Sequence, residues 1–308
     1  MSNSRRIGFL PYLLLIVPPL MWGGNFVVGR YIHDAIPPAT MNFWRWLIAL
    51  LILLLWSGKN VWHRRDVIRK HWWFLFLLGL SGITLFHTFV YASLHFTTAV
   101  NSTLIFTLTP VTIIILSWVL FRDTITSRQI LGIVISLIGA AAIILKGDWR
   151  LLLDISFNRG DLLMLCAMPN WAFYSVMLKR RPMELDANLL LISTISIGLA
   201  LQVPLFLWEF LQEQTMVINT ASILSIGYVC IGPSIIAYFC WNRGVAEVGA
   251  NQAGVFLHLV PVFGAIFAIL FLNEQMYRYH FIGIVLIAAG IYLSTYAGRL
   301  RLRTQSAE

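Results

Sequence analysis

Polar and aromatic side chains recur at helical spacing inside apolar stretches of this 308-residue chain. Within each set the members are three, four or seven residues apart, which places them on one face of a helix. The sets are Trp22 with Asn25, His87 with Tyr91, Thr103 with Thr107, Asn170 with Tyr174, Ser234 with Tyr238 and Trp241, and Asn251 with His258. Such faces either line a shared lumen that binds a small molecule or hydrogen-bond neighbouring helices in lipid. Packing is the more common role for any single residue, but the recurrence of the sets favours the lumen.

A single arginine, Arg45, also lies within an apolar stretch, about six residues from its start. A charge at that depth costs at least about 2.5 kcal/mol if it faces lipid, so the side chain must turn inward or reach the membrane surface. Two roles are open: a counter-charge for an anionic substrate, or an arginine that binds backbone carbonyl groups at a helix end. Because the position is near a membrane face and arginine has a long reach, we favour the second role. A phosphorylated substrate is not expected, since a phosphate normally needs two or more buried cations.

The elements that carry these residues have the composition of membrane spans. Hydrophobic residues make up 59% of the chain and charged residues 11%, whereas an ordinary globular domain has about 25% charged residues. Ten apolar stretches have the length of about 20 residues that crosses a hydrocarbon core. They are residues 9–30, 39–57, 72–91, 97–121, 129–146, 161–178, 189–208, 221–242, 249–272 and 279–298. The loops between them are too short for a soluble domain, which excludes receptors with an ectodomain, ATP-driven pumps and secreted enzymes.

The basic residues predict how these spans are oriented. Sixteen lie in the tails and loops on the side of the N-terminus, five lie on the opposite side, and Arg45 lies within span 2. The positive-inside rule then predicts that both termini and the loop from Trp62 to His71 face the cytoplasm. The net charge of +9 therefore reports orientation, and no nucleic-acid partner is expected. The segment Ser4-Arg5-Arg6 resembles the start of a signal sequence, but no cleavage site follows it, so we expect span 1 to be retained.

The chain contains an internal repeat. The aligned pairs are Ala99 with Ala250, Leu108 with Leu259, Pro110 with Pro261, Asp123 with Glu274, Gly132 with Gly283, Gly139 with Gly290 and Gly147 with Gly298 at an offset of 151, and Trp22 with Trp171, Val27 with Val176 and Arg30 with Lys179 at an offset of 149. Because each half holds five spans, an odd number, the second half enters the membrane in the opposite sense, as in alternating-access transporters. We therefore predict an all-α integral membrane protein with ten transmembrane helices in two inverted five-helix repeats, residues 1–148 and 149–308. A functional monomer is expected because the repeat is internal.

Several residues of this pattern resemble a known family. They are Trp22-Gly23-Gly24-Asn25-Phe26 in span 1, Arg45 in span 2, Asn101 through Pro110 to Asp123 in and after span 4, and Gly132 and Gly139 in span 5. The pattern is similar to that of the EamA-type family of the drug/metabolite transporter superfamily. The resemblance implies a ten-helix carrier that exports amino acids or other small metabolites. The family usually has glutamate after span 4, where this chain has Asp123, and only the second half keeps Glu274. We interpret both acids as structural residues at helix ends.

The resemblance also indicates where a substrate would bind. In that family spans 1, 3, 4, 6, 8 and 9, with help from spans 2 and 7, surround a central cavity, and the polar and aromatic sets fall in the same six spans. The residues predicted to bind the substrate are Trp22, Asn25, His87, Tyr91, Asn101, Thr107, Trp171, Tyr174, Tyr238, Trp241 and His258. Pro110 and Pro261 interrupt the backbone hydrogen bonds of spans 4 and 9, which would leave carbonyl groups free near Thr107 and His258.

Spans 5 and 10 carry few polar side chains and are expected to form a scaffold. Small residues recur every four positions along them, which lets two helices approach closely. The residues are Gly132, Ser136 and Ala140 in span 5, and Gly290, Ser294 and Gly298 in span 10.

The sequence thus predicts a secondary transporter of small metabolites, most consistent with an exporter, in the cytoplasmic (inner) membrane of a bacterium. Its expected partners are a small-molecule substrate and the lipid bilayer.

A passive channel is an alternative function, although no ring of like charges or carbonyl filter motif is present. An intramembrane enzyme is a weaker one: Gly79-Leu80-Ser81-Gly82 resembles the nucleophile motif of rhomboid proteases, with His258 as a conceivable base, but proteolysis does not explain an inverted repeat. Cys166, Cys230 and Cys240 lack the spacing of metal ligands, and no metal or cofactor is expected.

The positions of the ionisable residues also predict how transport is driven. All thirteen acidic residues lie in loops, in tails or at the ends of spans. Proton-coupled carriers commonly place a carboxylate near the middle of the membrane. We therefore predict facilitated diffusion or exchange, or else a histidine proton site at His87 or His258.

Overall fold

The computed structural model describes residues 9–152, 158–214, 216–272 and 275–304. This part of the chain consists of helices joined by short loops and contains no β-strand. Ten of its helical segments are long and apolar enough to cross a membrane. The ten predicted spans are therefore confirmed, and the span numbers are kept below.

Several spans are made of more than one helix. The first half contains Leu10–Leu14 and Val17–Tyr31 (span 1), Pro38–His63 (span 2), Arg65–Lys70 between spans, Trp72–Leu78, Gly79–Leu85 and Phe86–Phe96 (span 3), Ala99–Phe106 and Thr109–Phe121 (span 4), Ser127–Ile144 (span 5) and the 3₁₀ turn Trp149–Leu152. The second half contains Arg159–Met177 and Leu178–Arg180 (span 6), Ala187–Leu211 (span 7), Thr220–Val229, Cys230–Ile236 and Ala237–Val248 (span 8), Ala250–Gly254, Val255–His258 and Leu259–Leu272 (span 9) and Arg278–Thr304 (span 10).

Capping boxes determine where spans 5 and 6 begin. The Thr126 hydroxyl accepts the backbone N–H of Gln129, and the Gln129 side chain accepts the backbone N–H of Thr126. Asn158 and Asp161 form the same reciprocal pair at the start of span 6. Each box satisfies backbone donors that a helix start leaves unpaired. Asp161 also accepts a hydrogen bond of 2.6 Å from the hydroxyl of Thr97, which ties the start of span 6 to the end of span 3.

A carboxylate from span 7 caps the start of span 2. Glu209 is buried and accepts hydrogen bonds from the backbone N–H groups of Ala39 and Thr40 at 2.8 and 2.7 Å. The Thr40 hydroxyl donates to the same carboxylate at 3.0 Å. A negative charge is stabilised at a helix N-terminus by the free N–H groups and the helix dipole. This buried acid therefore has a structural role at a span end, as the distribution of acids predicts.

Contacts between the two halves occur in matching pairs. Span 1 packs against spans 8 and 9, and its repeat partner, span 6, packs against spans 3 and 4. Span 2 contacts span 8, and span 7 contacts span 3 in the same way. Spans 2 and 7 pack against each other, as do spans 5 and 10. This exchange of neighbours is what a twofold relation between inverted repeats produces, so the predicted fold is confirmed.

Spans 5 and 10 make the most extensive helix contact of the described residues. A Cβ atom added to Gly132 would lie 2.5 Å from the carbonyl oxygen of Gly290, and one added to Gly139 would lie 2.8 Å from that of Gly283. Since the repeat aligns Gly132 with Gly283 and Gly139 with Gly290, the two contacts are related by the pseudo-twofold axis. Backbone approaches this close require glycine. The scaffold role predicted for spans 5 and 10 is thus confirmed; the surroundings of Gly298 lie outside the described residues.

Spans 3 and 8 each contain a π-helical segment at equivalent positions. The segments are Gly79–Leu85 and Cys230–Ile236, each of 7 residues. Adding the repeat offset of 151 to the first segment gives the bounds of the second. A π-helical turn widens the helix and frees backbone groups from the usual i to i−4 pattern, and such turns occur often at functional sites. Both repeats therefore carry the same irregularity in the span that is third in its repeat.

The two aligned prolines interrupt spans 4 and 9, as predicted. Span 4 divides at Thr107 and Leu108, just before Pro110. The carbonyl oxygen of Thr107 accepts a hydrogen bond from Nε2 of His258 at 2.9 Å. In span 9 a 3₁₀ turn, Val255–His258, precedes Pro261. The carbonyl group freed by the proline of one repeat is therefore bound by a side chain of the other.

The loops after spans 2 and 6 meet at one end of the bundle. Lys70 donates to Glu184 at 2.6 Å, Nε2 of His71 is 2.8 Å from the same carboxylate, and Arg64 pairs with Asp186. The hydrogen bonds from Lys70 and His71 hold the pKa of Glu184 below its ordinary value. Both loops belong to the side that the positive-inside rule assigns to the cytoplasm.

Asp123 has a structural contact at the same end. Nζ of Lys179 lies 2.6 and 2.7 Å from its two carboxylate oxygens, and the Ser117 hydroxyl donates to it at 2.8 Å. Partial burial raises the pKa of Asp123, but the hydrogen bonds from Lys179 and Ser117 outweigh that effect and leave the pKa below its ordinary value. This contact supports the helix-end role predicted for Asp123. Its repeat partner, Glu274, lies outside the described residues.

Reporter fusions are expected to place the C-terminus in the cytoplasm, and the even number of ten spans would then place the N-terminus on the same side. A green fluorescent reporter fused after Glu308 should be fluorescent, and alkaline phosphatase at the same position should be inactive, because the basic loops lie on that side. Phosphatase inserted in the loop at residues 212–219, between spans 7 and 8, should be active and serves as the control. The opposite pattern would show that the orientation is wrong.

Candidate functional site

The centre of the bundle holds a continuous group of aromatic rings, which we call the central aromatic cluster. Its members come from spans 1, 2, 3, 6 and 8, and each ring contacts at least one other. They are Trp22, Trp46, Phe86, His87, Tyr91, Trp171, Tyr174, Tyr238 and Trp241. The most exposed of them, Phe86, has 8% of its surface accessible. The whole cluster is therefore buried inside the bundle.

The two repeats meet within this cluster. Trp22 and its repeat partner Trp171 lie edge to face, with ring centroids 5.0 Å apart and an interplanar angle of 87°. Tyr238 lies edge to face with both Trp171, at 5.5 Å, and Trp46, at 5.1 Å. This arrangement is favourable because the positive edge of one ring faces the negative face of the next. Spans 1 and 6 thus oppose each other at the point expected from the repeat.

The π-helical segments position two of these rings. Gly82 and Pro233 are each the fourth residue of their segment. The hydroxyl of Tyr238 donates to the carbonyl oxygen of Gly82 at 2.6 Å, and Nε1–H of Trp22 donates to that of Pro233 at 3.1 Å. The irregular turn in each repeat therefore holds an aromatic side chain of the opposite repeat through a backbone acceptor.

A tyrosine–asparagine hydrogen bond joins the first and third spans of each repeat. In the first repeat the Tyr91 hydroxyl donates to Oδ1 of Asn25 at 3.1 Å. In the second, the Tyr174 hydroxyl donates to Oδ1 of Asn242 at 2.8 Å. The offsets of 149 and 151 pair Asn25 with Tyr174 and Tyr91 with Asn242. The same contact is thus built twice with the two residue types exchanged.

Arg45 is fully buried beside the cluster, with 0% of its surface accessible. Its Nε donates to the Ser234 hydroxyl at 2.9 Å and its Nη1 donates to the Tyr91 hydroxyl at 2.8 Å. The guanidinium carbon is 4.8 Å from the ring centroid of Trp46, within the range of a cation–π interaction. Side-chain hydroxyl groups are therefore the acceptors, and the helix-end role favoured from the sequence is wrong. Depth along span 2 did not reveal which face of the helix carries the residue.

Several hydrogen-bond donors at this centre have no acceptor among the described residues. They are Nη2 of Arg45, Nε1 of Trp46, Nε1 of Trp171 and Nδ2 of Asn242. Leaving a buried donor unpaired costs about 1–3 kcal/mol. Nδ1 of His87 is also unpaired, and its role depends on the tautomer. Unpaired donors of this kind indicate where a bound molecule would supply acceptors.

The structure brings together most of the residues predicted to bind a substrate. Trp22, His87, Tyr91, Trp171, Tyr174, Tyr238 and Trp241 belong to the cluster, and Asn25 is bonded to Tyr91. Asn101 lies half-buried in the first turn of span 4, where its backbone N–H donates to the Thr98 hydroxyl. No ring contact or hydrogen bond within the described residues joins Asn101, Thr107 or His258 to the cluster. Their part in binding stays a prediction.

His258 links three spans instead. Nε2 donates to the Thr107 carbonyl in span 4, and Nδ1 lies 2.6 Å from the Ser136 hydroxyl in span 5. Because a carbonyl oxygen only accepts, Nε2 must carry a proton. The Ser136 hydroxyl lies 3.0 Å from the Ile133 carbonyl as well. When the imidazole is neutral, the Ser136 hydroxyl donates to Nδ1 of His258. When the imidazole is charged, Nδ1–H donates to the hydroxyl, which then donates to the Ile133 carbonyl. The hydrogen bonds of this site are therefore satisfied in either protonation state.

A separate cavity of about 460 Å³ opens at the side of the bundle. Its lining is apolar and comes from spans 1, 9 and 10, including Leu13, Ile16, Leu259, Ile291 and Tyr292. The cavity has none of the unpaired donors of the centre. Three of its lining residues, Leu13, Ile16 and Tyr292, are exposed at the surface of the bundle.

Sequence analysis missed Trp46, Phe86 and Asn242 as members of the site. Trp46 follows Arg45 and lies four residues after Asn42, so helical spacing offered a signal, but this pair was not included among the polar and aromatic sets. Phe86 is apolar and carries no such signal. Asn242 did have one, because the offset of 151 pairs it with Tyr91, a residue already assigned to the cavity.

Ser81 and His258, the two residues of the protease-like alternative, are hydrogen-bonded to different partners. Ser81 of the protease-like motif donates to the Leu77 carbonyl at 2.7 Å, while His258 is bonded to Thr107 and Ser136. Among the described residues no group of three or more His, Cys, Asp or Glu side chains is placed to hold a metal ion.

Comparison with known proteins identifies relatives over nearly the whole chain. The sequence profile of the EamA-like transporter family matches residues 9–145 and 158–296. An uncharacterized transporter of Archaeoglobus fulgidus is 28% identical over 92% of this chain and 96% of its own length. The uncharacterized transporter YyaM of Bacillus subtilis is 26% identical over 94% of each chain. A probable amino-acid metabolite efflux pump of Salmonella typhimurium is 24% identical over 97% of each.

A solved structure has the same fold. It aligns with a TM-score of 0.74 at 20% identity and covers 94% of this chain and 97% of that one. At this level of identity the likeness establishes the fold alone.

Proposed function

The chain belongs to the EamA-like transporter family, and from this we propose that it is a secondary transporter that exports small metabolites such as amino acids by alternating access through its centre. The observation that carries the proposal is the central aromatic cluster. It is built by both repeats, is buried inside the bundle, and contains a tyrosine–asparagine hydrogen bond that each repeat forms. A transporter needs a site at the repeat interface that each side reaches in turn.

The paired contacts explain how such a site would open. Two hydrogen bonds join the repeats at the cluster. Tyr238 is bonded to Gly82 in the π-helical segment of span 3, and Trp22 is bonded to Pro233 in that of span 8. Because the two bonds involve different segments, they need not break together when the repeats separate at one end. The inverted repeats make the two opening movements similar, although the aromatic residue bound to the π-helical segment differs between the repeats. A rocking movement around the cluster therefore gives two conformations of similar energy, which alternating access requires.

The substrate class is supported by the chemistry of the centre. Aromatic rings pack against apolar or aromatic bodies, and the unpaired donors bind polar acceptors. The relative from Salmonella typhimurium is named a probable amino-acid metabolite efflux pump, which is consistent with this class. A passive channel fits less well, because the rings fill the centre.

The setting follows from the same proposal. The protein would lie in the cytoplasmic membrane of a bacterium with both termini in the cytoplasm. Residues 1–148 and 149–308 would form the two repeats of a functional monomer, with lipid and a small molecule as partners. No cofactor and no nucleic acid are part of the proposal.

We further propose that transport occurs by facilitated diffusion or exchange. The buried acids Asp161 and Glu209 are both at span ends and both cap helix starts. Neither is placed at the centre to carry a proton with the substrate. The remaining proton carriers are His87 and His258, of which His258 has partners for both protonation states.

Reconstitution in liposomes tests both proposals. A thermal-shift screen of amino acids and related carboxylic acids first selects a ligand; at 100 times its dissociation constant a ligand stabilises by about 2.7 kcal/mol. Liposomes loaded with unlabelled ligand should then take up labelled ligand from outside in exchange for the internal ligand. Imposing a pH gradient should not increase this uptake. Empty liposomes are the control.

The outcomes separate the two proposals. A protein that binds a ligand but moves none of it is not a transporter. Accumulation driven by the pH gradient that survives replacement of both His87 and His258 by Gln would show that the coupling proposal is wrong. If accumulation driven by the pH gradient is lost in His258→Gln but kept in His87→Gln, His258 is the proton site.

A further inference from the structure

We propose that Arg45 is the counter-charge for a carboxylate group of the transported molecule, whose apolar or aromatic body packs against the central aromatic cluster. The inference rests on the proposed transport function and specifies its substrate class as organic monocarboxylates, including zwitterions. It starts from the hydrogen bonds and charges that surround this residue.

Among the described residues, the positive charge of Arg45 has no anionic partner. An arginine stays protonated in a protein interior. Its two acceptors, the hydroxyl groups of Ser234 and Tyr91, are neutral. The buried carboxylates are bound elsewhere, Asp161 to Thr97 and Asn158, and Glu209 to the start of span 2. A buried cation that is paired only with neutral groups is costly, and an anion bound beside it removes that cost.

The guanidinium group also keeps one nitrogen available. Nη2 has no hydrogen-bond acceptor among the described residues, whereas Nε and Nη1 are both bonded. Indole N–H groups of Trp46 and Trp171, in the adjoining cluster, are likewise unpaired. All three are donors, and a carboxylate offers two acceptor oxygens. These three donors match an anion. The unpaired acceptor Oδ1 of Asn42, one helical turn before Arg45, would suit the ammonium group of a zwitterion.

The carboxylate is favoured over a phosphate by the number of cations. Arg45 is the sole buried cation of the described residues, and a phosphate normally requires more than one. The repeat positions of Arg45 in the second half, at offsets of 149 and 151, are Thr194 and Ser196. The charge is thus an asymmetric addition to an otherwise pseudo-symmetric centre. With a single buried cation, each transporter is expected to bind one anionic group of the transported molecule.

Binding to the purified, full-length protein tests the inference without any transport step. The probes are indole-3-acetate and 3-phenylpropionate, each compared with its uncharged carboxamide and with an amine of similar size, tryptamine or 3-phenylpropylamine. Binding is measured by thermal unfolding and by tryptophan fluorescence. We expect at least one carboxylate to stabilise the protein, and its carboxamide to bind at least about tenfold more weakly.

Two variants assign the effect to this residue. Arg45→Gln should reduce carboxylate affinity by at least about tenfold, and Arg45→Lys should retain part of it because the charge remains. Arg30→Gln is the matched control: Arg30 is also in a span and donates to the Leu94 carbonyl, but it lies outside the cluster. Its affinity for the carboxylate should be unchanged. If Arg45→Gln does not fold, the comparison of carboxylate with carboxamide on the unchanged protein decides the question.

A purely structural arginine predicts different results. Failure of both carboxylates to bind, equal binding of acid and carboxamide, or unchanged affinity in Arg45→Gln would each overturn the inference. The unliganded variant Arg45→Gln adds a second readout. Removing an unpaired buried charge should raise the midpoint of thermal unfolding, whereas removing a structural arginine lowers it.

The outcomes also separate this inference from the proposed function. Carboxylate binding without transport in liposomes would keep the anion site and reject the transport function. Transport of amines without carboxylate binding would keep the transport function and reject the anion site.

Discussion

Replacing Trp171 with Ala is expected to reduce transport by at least about tenfold while the protein still reaches the membrane. Trp171 is 1% exposed and contacts rings from both repeats, including Trp22, Phe86 and Tyr238. Removing a central aromatic anchor of a binding site costs about 2 kcal/mol or more, which corresponds to that loss. Transport of the ligand selected by thermal shift, measured in liposomes at equal protein content, is the readout.

Two further variants separate binding from folding in this experiment. Trp171→Phe keeps an aromatic ring but loses the unpaired indole N–H and part of the ring volume, so it should fold and retain part of the transport. Trp118→Ala is the matched control, because Trp118 is also in a span but is 50% exposed at the surface. Unchanged transport in Trp171→Ala, with normal transport in Trp118→Ala, would show that the centre of the cluster is not the binding site.

Replacing Gly132 with Leu is expected to lower the free energy of unfolding by about 3 kcal/mol or more. The first added carbon would lie 2.5 Å from the backbone oxygen of Gly290, and a backbone atom cannot turn aside as a side-chain end does. Spans 5 and 10 would have to separate along the whole of their contact. The midpoint of thermal unfolding and the fraction of protein that elutes as a single species from a size-exclusion column measure the effect.

Gly227→Leu provides the control for adding a large side chain to a membrane helix. A Cβ atom at Gly227, in span 8, meets nothing within 4 Å, so this variant should behave like the unchanged protein. Gly139→Leu should be as harmful as Gly132→Leu, because the pseudo-twofold axis relates the two contacts. Equal stability of Gly132→Leu and Gly227→Leu would contradict the close approach of spans 5 and 10.

Much of the fold follows from the sequence because a membrane restricts the possible structures. In lipid the backbone must satisfy its own hydrogen bonds, so a long apolar stretch becomes a helix. Duplicated positions such as Pro110 and Pro261, or Gly132 and Gly283, then reveal the repeat. The odd number of spans in each half determines that the repeat is inverted.

The site was predictable only in part. Helical spacing put Trp22 and Tyr238 on inward faces, since polar and aromatic groups that recur on one face of an apolar helix avoid lipid. The repeat added Trp171 as the partner of Trp22. Helical spacing assigned His258 to the same lumen, but the structure bonds this residue to Thr107 and Ser136 between spans 4, 5 and 9. Spacing identifies a face of a helix; it does not tell whether that face points to a lumen or to a neighbouring helix.

The sequence by itself determined the ten spans, the inverted repeat and the family, because length, hydropathy and residue identity at a fixed offset are properties of the chain alone. Only the tertiary structure decided that Arg45 is bonded to Ser234, 189 residues away, that Tyr91 and Asn25 exchange roles with Asn242 and Tyr174, and that π-helical turns present Gly82 and Pro233 to the opposite repeat. Each of these contacts joins separate helices, and its geometry depends on how far every helix is rotated about its axis and shifted along it. That rotation is set by close packing of all ten spans at once, which no local pattern encodes.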